Sequence, residues 1–290
     1  MRQQPSGPSQ TLSRMGLQLQ DQPARKARVV AQYGSRQAAA AYAQLLDGQS
    51  PRGRNQRYRL RLVQEMLARH PGGDLLDAGC GPGIMARTLL TTRPADFSVT
   101  VLDQSAAMID YCRENVRDVG EVHATVGQLE ALPFADASFD VALIMGALEY
   151  ADVRATLRET ARVLRPGGLV VVTMLNPFSP YRLTEWVLYW PLVRLVGLIE
   201  EKLAGPARRR HAAGHTGIRT VPRGWLERKL IGVGLLPIEV VHYDITALIP
   251  PLDRLPAVIR RAGRIPYERT VDRGWRRWLG TAYLIMARRS

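Results

Sequence analysis

Hydrophobic and polar positions follow two periods along this chain, and the switches between them mark its elements. Leu75 and Leu76 lead into Asp77, and glycines follow at alternate positions, Gly79, Gly81 and Gly83. An apolar helical stretch, Ile84 to Leu90, begins at once, so the segment reads as strand, tight turn and helix start. Phe97 to Leu102 (FSVTVL) alternates as a strand and ends in Asp103. Ser105 then stands as the N-cap of a helix to about Arg117. Two helical stretches precede this region, about Ala24 to Leu46 and about Asn55 to Arg69, parted by the breaker Asp47-Gly48-Gln49-Ser50-Pro51. After it, a helix over about Pro222 to Val233 leads to a strand over Leu235 to Tyr243. A Pro-rich insert and a last strand near Thr281 to Ala287 follow.

Glycine is required in the loop after Asp77 because the backbone there must turn tightly and come within contact distance of a ligand. The positive end of the following helix favours a carboxylate or phosphate nearby. In the dinucleotide fingerprint a third glycine would fall at Ile84, so the NAD reading fails. An acid at a strand end followed by alternating glycines resembles motif I of the class I S-adenosylmethionine (SAM) dependent methyltransferases. Asp103, Gln104 and the helix after them continue as in that family, as does VGQLEALPFADASFDVALIMGALEYADV (Val126 to Val153), which matches its adenine-binding segment and fourth strand. VLRPGGLVVVTMLNP (Val163 to Pro177) gives a helix end, a Pro-Gly-Gly turn and a fifth strand. The chain is thus similar to the small-molecule, type 11-like branch of the family.

The resemblance implies a Rossmann-like α/β fold: a seven-stranded, mostly parallel sheet with helices on both faces, N-terminal helices over the cofactor, and a helical lid after the fifth strand. It implies SAM as cofactor, with Asp77 toward the ammonium end of its methionine part and Asp103 on the ribose hydroxyls. Gly79, Cys80, Gly81, Gly83, Gln104 and Met145 would surround it. The Leu129 amide would meet the adenine ring, and Gln128 stands where relatives often carry aspartate for the adenine amino group. Tyr42 resembles an aromatic contact from the N-terminal helices.

The implied organisation is a disordered tail over 1–22, a helical cover over 23–70, the SAM-binding core over 71–177, a lid over 178–220, and the rest of the same domain over 221–290. With 290 residues and 46% hydrophobic content the chain can bury a full core. Two cysteines, Cys80 and Cys112, build neither a disulfide framework nor a metal site. The first 22 residues are rich in Gln, Ser and Pro without an apolar core, which predicts no secretory signal and a cytoplasmic location. Net charge is +14. Residues 1–70 contribute +9, residues 71–175 contribute −6, and residues 176–290 contribute +11. Basic flanks around an acidic core suit an anionic partner. An arginine-biased composition accounts for them equally well.

The segment 181–203, YRLTEWVLYWPLVRLVGLIEEKL, is apolar at helical spacing, carries Trp186 and Trp190 beside Pro191, and is too short and too charged to span a bilayer. It reads first as a lid over a lipophilic acceptor, with an interfacial membrane helix or an oligomer contact as rivals. Arg208, Arg209 and Arg210 form either a solvated loop cluster or an anion clamp.

Methyl transfer is an in-line displacement that asks the protein for alignment and exclusion of water, and it demands no metal. A base would come from Glu149 or Tyr150, after the fourth strand where relatives often carry histidines, or from His215. Glu149 suits equally the part of an acid that organises cofactor and lid. His242 and Tyr243 point to opposite sides of a strand, so at most one faces an acceptor, and Tyr243 is the candidate. The leading expectation is therefore a methyltransferase for a lipophilic small molecule. An RNA methyltransferase using the basic flanks is the second reading, weakened by GALEY standing where amino-directed nucleic-acid enzymes carry their tetrapeptide. A SAM-binding cyclase or regulatory protein is the third.

Overall fold

A computed structural model of the chain describes residues 33–48, 50–204, 218–246, 249–252, 255, 257–258, 266–272 and 274–290. Eight strands form one sheet: β1 (Gly73–Ala78), β2 (Phe97–Asp103), β3 (His123–Val126), β4 (Phe139–Ile144), β5 (Leu164–Leu175), β6 (Leu235–Ile245), β7 (Val271–Asp272) and β8 (Gly280–Arg289). Their order is β3-β2-β1-β4-β5-β8-β6-β7. The first five run parallel, and β8 inserts antiparallel between β5 and β6. Seven strands are those expected. The eighth, β7, is two residues long and pairs Val271 and Asp272 with Tyr243 and His242. Two residues carry no period, so sequence pattern could not announce it.

Helices α1 (Arg36–Asp47) and α2 (Pro51–Leu67) precede the sheet, and α3 (Ile84–Thr92), α4 (Ala106–Val116) and α5 (Val153–Val163) alternate with its strands. Ser105 caps α4 by accepting from the Met108 amide. The breaker before α2 is shorter than the pattern suggested. Ser50 accepts from the Gly53 amide and Pro51 takes the first helical position, where its missing N–H costs nothing.

Alternation along the strands divides the core in two. Leu75, Val141, Leu143, Tyr243, Ala282 and Leu284 pack against Leu62, Val63, Met85, Leu89 and Ile109 of α2, α3 and α4. Leu76, Ile144, Val170, Val172, Tyr283 and Ile285 pack on the other face with Leu157 of α5 and with Leu226 and Leu230. The sheet is thus covered on both sides, as its near-continuous apolar strands require.

After β5 the chain enters α6 (Pro180–Thr184), a π-turn (Glu185–Tyr189) and α7 (Trp190–Ala204) without a break. Pro191 does not interrupt this segment. Instead the π-turn, in which the Trp190 amide donates to the Glu185 carbonyl, widens the helix just ahead of the ring that has no N–H to give. A last helix, α8 (Arg223–Ile231), leads into β6.

One contact fixes α2 against the far end of the chain. Buried Arg54 donates through Nε to Asp244 Oδ1 at 2.7 Å, and Thr281 Oγ1 donates to Asp244 Oδ2 at 2.7 Å. Asp244 holds this geometry at φ +55°, a left-handed conformation uncommon for a side chain other than glycine.

Candidate cofactor and acceptor site

The order of the sheet reverses between β1 and β4, so a crevice opens beyond their carboxyl ends. Asp77 and Asp103, on neighbouring parallel strands, reach that edge together. The loop between β1 and α3 hangs from β2 by two bonds, the Gly79 and Cys80 amides donating to the Leu102 carbonyl at 2.7 and 3.1 Å. Asp103 pins it further: Oδ2 accepts from the Gly81 amide at 3.0 Å and Oδ1 from the Ser105 amide at 2.9 Å. Gly79 takes φ +81°, and a Cβ there would sit 2.3 Å from the Cβ of Ala147. No larger residue allows the loop to lie this close to the end of β4.

Around these strand ends lies a cavity that, with its open mouth, encloses about 1010 Å³. Its charged floor holds a feature that sequence gave no hint of. Asp77 is 2% exposed, and its Oδ2 has no hydrogen-bond partner among the described residues. Burial raises its pKa to about 7; Arg59 pulls it down and Asp103 pushes it up. Arg59, from α2, lies over Gly146, where a Cβ would come 2.3 Å from Nη1. Its Nη2 donates to Gln56 Oε1, while its buried Nε has no partner among the described residues. An anion-seeking guanidinium and a cation-seeking carboxylate therefore face one cavity. That pair suits an amino-acid end bearing both charges.

The residues present fit SAM. Asp77 and Arg59 would take the ammonium and carboxylate of the methionine end, and Asp103 retains acceptor capacity for ribose hydroxyls. Gly127, Leu129, Leu102 and Met108 wall the other end. Burial raises Asp103 above the usual carboxylate range, partly offset by the Ser105, Gly81 and Gln104 amides.

The structure brings Asp77, Gly79, Cys80, Gly81, Asp103, Gln104, Leu129, Met145, Tyr42 and Tyr150 to the cavity wall. Tyr42 meets Tyr33 edge-on at 5.1 Å between ring centroids, and together they close the side above Gly81. Gly83 and Gln128 are not on the wall. Gly83, at φ +76°, packs against Cys112, whose Sγ would be 2.3 Å from a Cβ there, so this glycine serves packing under the loop. Gln128 is exposed and bridges to Ala131, while its neighbours Gly127 and Leu129 line the cavity.

The acceptor residues expected from sequence are placed differently. Glu149 is buried behind the wall, pushed up to about 7 by burial against the lowering effect of Arg59 and Arg182, and its Oε2 has no partner among the described residues. Tyr243 is in the core, raised by burial and hydrogen-bonded with Thr173. Its neighbour His242 is buried on the other side and held down at about 4, hence neutral. Trp186 is 45% exposed, and neither it nor Trp190 lines the cavity. The apolar periodicity of 181–203 marks a face, not which way that face turns. His215 and Arg208, Arg209 and Arg210 lie outside the described residues.

A methyltransferase-domain family model matches residues 76–172. A malonyl-[acyl-carrier protein] O-methyltransferase of Pseudescherichia vulneris is 36% identical over 141 residues, 48% of this chain and 54% of the relative. A ubiquinone/menaquinone biosynthesis C-methyltransferase of Geotalea daltonii is 34% identical over 116 residues, 39% of this chain and 49% of the relative. The chain spans about half the length of these curated relatives. A SAM-dependent methyltransferase of Thermotoga maritima shares the fold with a TM-score of 0.56 at 18% identity, over 88% of this chain and 98% of that one. The matched segment contains Asp77, the glycine loop, Asp103 and the turn after β4, so residues 76–172 of this chain match a methyltransferase domain.

Proposed function

We propose that this chain transfers a methyl group from SAM to a lipophilic small molecule. The observation that carries the reading is the opposed pair Asp77 and Arg59 on one cavity wall, with Asp103 beside it. Beyond these charges the wall is aromatic and aliphatic, with Tyr33, Tyr42, Leu46, Met145 and Tyr150. The relatives named above act, by name, on malonyl-acyl-carrier protein and on ubiquinone or menaquinone precursors, which supports a lipid-like acceptor.

Bound SAM supplies a methyl group already activated by its sulfonium. The chain's own part is to hold the two ends of that molecule, align the acceptor beside Met145 and Gly146, and keep water out with Tyr33 and Tyr42. The Tyr150 hydroxyl, raised chiefly by burial and hydrogen-bonded with Tyr33, stays protonated at neutral pH on the cavity wall. Glu149 lies between Arg59 on the cofactor side and Arg182 on the lid. Its placement supports the organising role over direct contact with acceptor. With a pKa near 7 it can also hold a proton for release at neutral pH.

Incubation with methyl-labelled SAM and a fractionated extract tests the reading. Label should enter the lipid or small-molecule fraction. Label in RNA, or turnover with no fraction, would overturn it. Glu149→Gln should leave SAM affinity within twofold and lower kcat by about 10²-fold or more if the proton matters, flattening the pH profile near 7.

A further inference from the structure

We propose that the lid and the turn Trp275–Leu279 together form a docking face for an anionic lipid bilayer. Leu188, Leu192, Leu195 and Ile199 recur at helical spacing through the π-turn and α7, and each is about half exposed or more. Val187 beside them is 67% exposed. A solvent-facing helix usually presents charge there. Here the apolar stripe faces outward, while Gly197 faces in.

A second element, remote in sequence, extends the same surface. The turn Trp275–Leu279 packs against α6 and exposes Trp275 at 81% and Trp278 at 57%. Between them stand Arg276 and Arg277, the latter with its guanidinium 5.3 Å from the centre of the Trp278 ring. Phe178 and Leu183, at the root of the lid, are also exposed. Aromatic rings interleaved with arginine are the chemistry of a headgroup boundary, where rings sink partway and guanidinium groups meet phosphate.

Charge selects the occupant. Across 181–203 Arg182, Arg194 and Lys202 balance Glu185, Glu200 and Glu201, so the net charge of the face is that of Arg276 and Arg277, which the phosphates of an anionic bilayer attract and a second copy of the turn repels. Among the described residues no helix is long and apolar enough to cross a membrane, so contact would lie in the plane of the surface. The lid springs from the carboxyl end of β5, the edge of the sheet on which the cofactor cavity opens. A lipophilic acceptor could then pass from bilayer to cavity; that consequence rests on the methyltransferase reading, and the docking itself does not.

The test uses the full chain with vesicles of phosphatidylcholine, with or without a third of phosphatidylglycerol, followed by flotation and tryptophan emission. Association should be at least tenfold stronger on the anionic vesicles, shift the emission to the blue, and weaken with salt. Leu188→Gln, Leu192→Gln and Leu195→Gln combined should lower association at least tenfold while SAM affinity by calorimetry stays within twofold, which also reports an intact fold. Arg194→Gln with Arg277→Gln should remove the preference for anionic vesicles. Absence of vesicle association at low salt, or undiminished association of the triple leucine variant, would overturn the proposal. So would a wild-type dimer that the leucine variant dissolves without any vesicle binding. Neither failure touches the labelling experiment, which tests the reaction in detergent-free solution.

Discussion

From Gly73 to Leu175 the molecule is acidic and parallel-stranded, and its glycine loop is held from the next strand; Gly81 and Asp103, joined by one hydrogen bond, are 22 residues apart. The cover over it is basic and depends on partners far along the sequence, with Arg54 and Asp244 separated by 190 residues. Each supplies one half of the charged pair in the cavity, Asp77 from a strand end and Arg59 from α2. Cofactor recognition is therefore split between a local device and a long-range one, and mutations in the two should fail in different ways.

The largest effect is expected where the cover is anchored. Arg54→Met strands Asp244 as a buried carboxylate, and should cost about 3–5 kcal/mol in urea unfolding. A loss below 1 kcal/mol would show that α2 holds its place without the pair. Asp103→Ala attacks the local device: SAM affinity by calorimetry should fall by about 1.5–3 kcal/mol, with little change in unfolding midpoint. Equal losses of stability and affinity in both variants would erase the contrast drawn above.

A smaller effect follows from pH. Asp77 titrates at about 7 in the fold against an ordinary 3.8. Between those values the folded chain keeps a proton that the unfolded chain has lost, so this group's contribution to stability falls as pH rises from about 4 to 7. An ammonium ligand needs the ionised form. SAM affinity should therefore drop about tenfold per unit below pH 7 and level off above it, and Asp77→Asn should bind weakly with no such slope. The smallest effect belongs to the lid: Trp186→Ala should change stability by less than about 0.5 kcal/mol and leave SAM binding unaltered, as for an exposed side chain. A loss of several kcal/mol would make it a core residue.

The strand-turn-helix at Asp77, the carboxylate at Asp103 and the Ser105 cap were legible because each depends on residues a few positions away. Backbone sterics and capping write such features directly into local sequence. Arg59 left no trace of that kind. It is one of several arginines on a polar helix, and only the docking of α2 on β6 turns it toward Gly146. Trp186 and Trp190 show the converse, since spacing gave the helix correctly but not which side meets the protein. Glu149 follows β4 as its place in the sequence implied, but its burial off the cavity wall, within the fields of Arg59 and Arg182, had no local signal.

The Arg54–Asp244–Thr281 link has a consequence for the order in which the chain becomes competent. A nascent chain that has emerged only through β5 already owns both strand-end carboxylates and the glycine loop. It lacks Asp244 and Thr281, so α2 has no buried counter-charge to lean on and Arg59 has no fixed place above Gly146. Folding during synthesis proceeds from the N-terminus, but here the first helices must wait for the last strand. Ribosome-arrested chains ending before Leu235 should fail to retain SAM, whereas chains long enough to free β8 from the ribosome should hold it, making cofactor capture a reporter of β8 joining the sheet.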